Sequence, residues 1–231
     1  MPRQSAGEIE IAVIVVPGFS MGATTAFLDP LRVANYLRAR ALFRWTLLSP
    51  EGGAVRASNG LTLGTDRLEP ARPAPDIAVV SSSWAPEAHY GSPLDAVLRR
   101  WARFGAALGG LDTGAFLLAA AGLLQGRRAT VHYEHIDAFA ELYPDTEPTE
   151  ELYVTDGDRF SAAGGAAATD LALQMIRAIE GDALANAAAR YLFHERIRPP
   201  GSRQNPERVE PIGAAAPGAL RHAIRIMEAH L

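Results

Sequence analysis

Five residues near the middle of the chain carry its clearest chemistry: Gly110-Leu111-Asp112-Thr113-Gly114, with Ala106-Ala107-Leu108 before them and Phe116-Leu117-Leu118-Ala119-Ala120-Ala121 after. The spelling is that of a strand, a sharp turn and a helix, the G-x-nucleophile-x-G elbow on which hydrolases display a reactive side chain. Asp112 occupies the nucleophile's place. Such a turn demands positive φ of its central residue, which Asp tolerates better than most, and its two glycines leave room for tight strand-to-helix packing. A carboxylate is a poor nucleophile for acyl transfer, and the sequence has no Cys. The elbow therefore reads as a pocket that keeps an enzyme's architecture without its reaction. Asp112 either caps the helix that follows or contacts a ligand.

Other residue groups invite chemical readings. His132 follows a short apolar run and reads as pocket lining on the elbow's side. With Glu134 and His135 it spells H-x-x-H, but no third metal ligand is placed and a strand-to-helix junction does not set both imidazoles on one rigid face. Trp84, Glu87, His89 and Tyr90 form a polar, aromatic loop after an apolar strand at 76–81. At the carboxyl edge of a parallel sheet, that inventory suits a cage for a quaternary ammonium; the alternative is a surface loop with an amphipathic Trp. Trp101 and Phe104 read as core or interface, and Arg196, Arg198, Arg203 and Arg208, interleaved with proline, as a solvated linker or a contact to DNA phosphates.

The elements that must position these residues alternate between short apolar runs and helical patterns, the signature of an α/β fold with a largely parallel sheet. Strands are expected at 9–16, 43–48, 76–81, before the elbow, and at 129–132. Hairpins are expected around Ser58-Asn59-Gly60, off the main sheet, and around Asp156-Gly157-Asp158. Helices are expected at 25–42, with a break or restart at Asp29-Pro30, then at 92–104, after the elbow, and at 134–143, 167–180 and 182–193. From Pro199 the texture turns to proline and glycine, and 219–231 carries Leu220, Ile224, Met227 and Leu231 at helical spacing. This divides the chain into a body over 1–198, a linker over 199–217 and a helix over 218–231 that opens a further, missing domain.

Composition narrows the chemistry. The 231 residues are 48% hydrophobic, enough for one sizeable core. All 22 basic residues are Arg, so Schiff-base, pyridoxal-phosphate and P-loop lysine chemistry are excluded, and the absence of Cys excludes disulfides and thiolate metal sites. A net charge of −4 argues against wrapping nucleic acid by bulk electrostatics. The first apolar run is short, contains Glu10 and ends at Pro17-Gly18, so it reads as a strand rather than a signal peptide. No run approaches a membrane span. These features predict a cytoplasmic protein without cofactor or metal.

The stretch from Phe116 to Tyr133, with Leu123-Leu124-Gln125-Gly126-Arg127-Arg128-Ala129-Thr130-Val131-His132-Tyr133 at its end, resembles the AraC-family transcription regulators whose sensor domain is glutamine-amidotransferase-like, or PfpI-like. Asp29-Pro30-Leu31-Arg32-Val33-Ala34-Asn35, Ser161-Ala162-Ala163-Gly164-Gly165 with Asp170-Leu171-Ala172-Leu173, and Arg196-Ile197-Arg198-Pro199-Pro200-Gly201 with Gln204 fit the same family. The resemblance implies a three-layer, flavodoxin-like sandwich with a mostly parallel sheet. It also implies a sensor without catalytic residues, which binds a small-molecule effector through Asp112, Thr113, His132, Tyr133, Trp84 and Phe19. DNA would be contacted through the missing helix-turn-helix domain, and the assembly would be a homodimer. The family's enzymes carry Cys at the elbow and an acidic residue in the first loop; this sequence has Asp112, and no acid in Pro17-Gly18-Phe19-Ser20-Met21-Gly22. Asp112-Thr113-Gly114 together with His132-Tyr133-Glu134-His135-Ile136-Asp137 is most similar to regulators of carnitine, choline or glycine betaine catabolism. The competing reading is a PfpI-like hydrolase or hydratase using Asp112 and His132.

Overall fold

Along the first strand, β1 (Ile9–Val15), alternate residues part company: Ile9, Ile11 and Val13 enter one buried cluster, Ala12 and Ile14 another. A strand sends successive side chains to opposite faces, so one that is apolar at both parities must lie between two covering layers. The computed structural model, which describes residues 7–91, 93–204 and Met227, has this three-layer architecture.

The middle layer is an eight-stranded sheet. With β2 (Phe43–Ser49), β3 (Gly53–Arg56), β4 (Thr62–Arg67), β5 (Ile77–Ser82), β6 (Ala107–Asp112), β9 (Tyr153–Asp156) and β10 (Arg159–Ala162), its order is β3-β4-β2-β1-β5-β6-β10-β9. The six strands from β4 to β10 run parallel, and β3 and β9 close the edges antiparallel. Helices α1 (Met21–Arg38), α5 (Ala166–Glu180) and α6 (Asp182–Tyr191) cover one face; α2 (Pro93–Arg103), α3 (Gly114–Ala120) and α4 (Ile136–Leu142) cover the other. A short parallel pair, β7 (Arg128–Ala129) with β8 (Glu147–Pro148), stands apart from the sheet.

Three local expectations are corrected. Helix α1 begins four residues earlier than its apolar periodicity, because Ser20 caps it by accepting the Ala23 amide, and it passes through Pro30 without a break. Proline removes the amide that would bond the Ala26 carbonyl, and Thr169 of α5 supplies the missing donor at 3.2 Å. The β3–β4 hairpin is not off the sheet: Leu48 and Ser49 of β2 pair with Asp66 and Arg67 of β4, extending it by two strands. Of the strand expected at 129–132 only Ala129 is kept, joined to Arg128 before it in β7, since Thr130 turns its amide and hydroxyl to Ser161 and Glu151 instead of to a ladder.

Residues 199–204, read as solvated linker, lie on the body. Ser202 accepts the Leu152 amide at 2.7 Å, and Glu151 and Arg203 form an antiparallel bridge. Arg198, read as a solvated or DNA-facing arginine, is bonded through its Nε to Asp170 at 2.7 Å. Linker residues 205–217 and the helix expected at 218–231 fall outside the described residues, apart from Met227.

Candidate functional site at the elbow

Strand β6 ends at Asp112, whose φ is 61°, and α3 begins two residues later. The close approach that this turn creates explains its glycines. A Cβ on Gly110 would lie 2.4 Å from the Ala115 amide, and one on Gly114 would lie 2.0 Å from the Val80 carbonyl. Helix α3 is thereby pressed onto β5 and β6, and Asp112 is left half-buried at the carboxyl edge of the sheet. In parallel α/β sheets that edge is where ligands bind, because the loops leaving neighbouring strands converge there.

Four loops meet at the Asp112 carboxyl. Ser20, from the loop after β1, and Ser83, from the loop after β5, donate hydrogen bonds to it. Gly164, after β10, packs so closely that an added Cβ would sit 3.3 Å from Asp112 Oδ2. His132 and His135, ahead of α4, bring positive potential. Burial pushes the Asp112 carboxyl above its ordinary value, and it outweighs His132, the two serine hydroxyls and His135, all of which pull the other way. The site is thus a carboxyl poised by opposing influences, with donors already in place.

The anticipated residues divide into two groups. Asp112 and His132 come together. Tyr133 stacks on His132 at a centroid distance of 4.5 Å, and Glu134 Oε2 lies 3.6 Å from His132 Nδ1. Trp84 stands at the rim, 63% exposed, with its amide donating to the Gly18 carbonyl of the first loop. Thr113 and Phe19 do not face the site. Thr113 is fully buried and its hydroxyl donates to the Ser83 carbonyl at 2.8 Å, which orders the loop that carries Ser83. Phe19 is equally buried, packed with Val15, Val55 and Ala57, and anchors the loop that presents Ser20. Their backbone turns position the site; their side chains are the wrong ones to touch a ligand.

The aromatic loop is likewise split. Tyr90 turns inward to hydrogen-bond Tyr143, and burial together with that bond pushes its phenol up, whereas Trp84 remains outside. His89 Nε2 reaches the Pro17 carbonyl at 3.3 Å. Trp101 is core, with its indole nitrogen on the Arg72 carbonyl, and Phe104 is exposed. Among the described residues no group of three His, Asp or Glu is arranged to hold a metal, so the H-x-x-H spelling gains no third ligand. Ser20, Ser83, Gly164 and His135 were missing from the sequence-based site. The signal available for the serines was topological: each is among the first residues after a parallel strand next to, or near, the elbow strand.

The DJ-1/PfpI family profile matches residues 11–178. The HTH-type transcriptional regulator CdhR of Pseudomonas aeruginosa is 43% identical over 198 residues, covering 85% of this chain and 57% of that protein. The HTH-type transcriptional regulator GbdR of the same species is 32% identical over 231 residues, covering all of this chain and 63% of that protein. A solved AraC family transcriptional regulator from Pseudomonas putida superposes with a TM-score of 0.72 at 34% identity, covering 80% of this chain and 99% of that one. The chain spans about three fifths of the length of these curated relatives.

Proposed function

The chain belongs to the DJ-1/PfpI family, and we propose that it is the ligand-sensing portion of an AraC-type transcription regulator, with the elbow as its effector site. The observation that carries this reading is the half-buried carboxyl that stands where an elbow carries its nucleophile, with the Ser20 and Ser83 hydroxyls donating to it and Gly164 packed against it. Such a group is built to bind rather than to attack, and the relatives CdhR and GbdR are named as transcriptional regulators. In this reading the domain turns over no substrate. It works in the cytoplasm as a homodimer, and the effector biases how the attached DNA-binding domain is held. No helix among the described residues is long and apolar enough to cross a membrane.

The effector is a small cation, such as the quaternary ammonium of carnitine, choline or glycine betaine. Asp112 provides the counter-charge, and Trp84, His132 and Tyr133 provide the aromatic faces. A melting-shift panel of carnitine, choline, glycine betaine, dimethylglycine and basic amino acids tests it. A ligand at a hundredfold excess over its Kd adds about 2.7 kcal/mol, hence a rise of about 5 to 10 °C for a chain of this size. Most of that rise should vanish in both Asp112→Asn and Trp84→Ala. A neutral or anionic ligand, or a shift indifferent to both substitutions, would overturn the cation assignment.

A further inference from the structure

Beyond α6 the chain crosses back over the body as a strap, residues 192–204, fastened at two places. The first is a fixed anchor. Asp170 of α5 is fully buried and accepts four bonds: from His194 Nε2 at 2.8 Å, and from the Arg198 amide, Nε and second guanidinium nitrogen at 2.8, 2.7 and 2.6 Å. The second lies at the strap's far end. The Gln204 side-chain amide donates to Thr130 Oγ1 at 2.9 Å, to the Val131 carbonyl at 2.8 Å and to the Glu151 carbonyl at 3.2 Å, while its backbone amide donates to the Glu150 carbonyl at 2.9 Å. Between the two fastenings Ser202 accepts the Leu152 amide, and Glu151 Oε2 accepts the Gly201 amide.

The two fastenings differ in what they rest on. Asp170 sits on α5 in the helical layer, and among the described residues its carboxylate is bonded to the strap alone. Gln204 rests on Thr130 and Val131, and the next residue is His132, whose ring lies 6.3 Å from that of His135, itself edge-on to Phe116 of α3, the helix that leaves the elbow. The Val131 carbonyl and the His132 amide belong to one rigid peptide plane. A backbone adjustment at His132 therefore tilts the carbonyl that Gln204 holds. We infer that Gln204 is a latch which reads the state of the elbow site: moving His132 relative to Asp112 loosens or tightens the far end of the strap, while the Asp170 anchor keeps the near end in place. The effector's part in this rests on the sensor reading, but the coupling between His132 and Gln204 belongs to the chain without any effector.

That separation sets the experiment, carried out on the full chain with no ligand added. Amide hydrogen exchange at Leu152 and Gln204 reads strap attachment, and the ring signals of His132 and His194 in NMR read the site and the anchor. Gln204→Ala should speed exchange at Leu152 about fivefold, the order expected for one net hydrogen bond. It should also shift the His132 ring signals and leave those of His194 in place. Gln204→Glu, which keeps the side chain's size but lacks the donor, should do the same. In the reverse direction His132→Gln should change exchange at Leu152 and Gln204 by a similar factor, whereas Phe104→Ala, exposed just beyond α2 and off this path, should not. Unchanged His132 signals in both Gln204 variants, or unchanged strap exchange in His132→Gln, would overturn the latch. An empty melting-shift panel would count against the sensor reading and leave this result standing.

Discussion

Asp112 is the residue whose behaviour discriminates most sharply between a structural cap and a site. Its carboxyl is held above the ordinary value by burial, against the pull of His132, Ser20 and Ser83. A carboxyl raised on folding stabilises the fold in its protonated form. That contribution is fully present below the unfolded value near 3.8 and is lost as pH rises through the folded value. Asn has the same shape, tolerates positive φ and cannot ionise. Asp112→Asn should therefore gain on the wild type as pH is raised from about 4, reach a constant advantage above the folded value, and show none of it in acid. Urea denaturation of the ligand-free chain across that range measures the difference. A difference independent of pH would mean that the carboxyl is simply a solvated cap. The same substitution should remove most of the response to a cationic effector, so stability and binding move in opposite directions, the usual mark of a group placed for function.

At the scale of elements, the segment after α6 shows how far two arginines of similar sequence context differ. Arg198 neutralises a fully buried carboxylate, and Arg203 pairs with Glu150 where the two side chains are 71% and 55% exposed. Arg198→Ala leaves Asp170 with His194 and one backbone amide, and should cost about 3 kcal/mol. Arg203→Ala should cost less than about 1 kcal/mol. Chemical denaturation of both variants checks the contrast, and equal costs would deny the anchor. This pair also marks the limit of what the residues alone disclose. The alternating apolar strands, the positive φ at Asp112 and the glycines that let α3 approach β5 were legible, because each follows from local periodicity or local sterics. The docked strap was not, since proline and arginine read as solvent-facing wherever their partner, here Asp170 inside an apolar helical stripe, is distant in sequence. Pro30 was misjudged for the same reason: its orphaned carbonyl is satisfied by Thr169, 143 residues from Ala26. Ser20 and Ser83 carry no periodic signal, and Phe19 and Thr113 adjoin the site in sequence while their side chains point into the body.

On the scale of the whole molecule, the charge distribution decides what this chain does with nucleic acid by itself. The net charge is −4, and much of the basic complement of the described residues is paired with carboxylates. Arg38 and Arg40 face Glu180, Arg127 faces Asp156 and Asp158, Arg128 faces Glu151, and Arg177 faces Asp182. Arginines held by carboxylates release no counterions when a duplex approaches, and counterion release is what drives sequence-independent binding. The proposed regulator must then owe its DNA affinity to residues outside this body, with the body supplying effector sensing and pairing of subunits. Two measurements follow from that division of labour. Sedimentation at tens of micromolar should show a dimer, the concentration at which ordinary weak self-association is populated. Fluorescence anisotropy of a 30-base-pair duplex, at about 0.15 M salt, should give no Kd tighter than about 100 μM, the weak limit of non-specific binding. That result should not change with or without effector, because one bound cation leaves the net charge of the chain negative. Micromolar binding with a steep salt dependence would place a DNA-contacting surface on this chain and move the division between sensing and DNA contact into it.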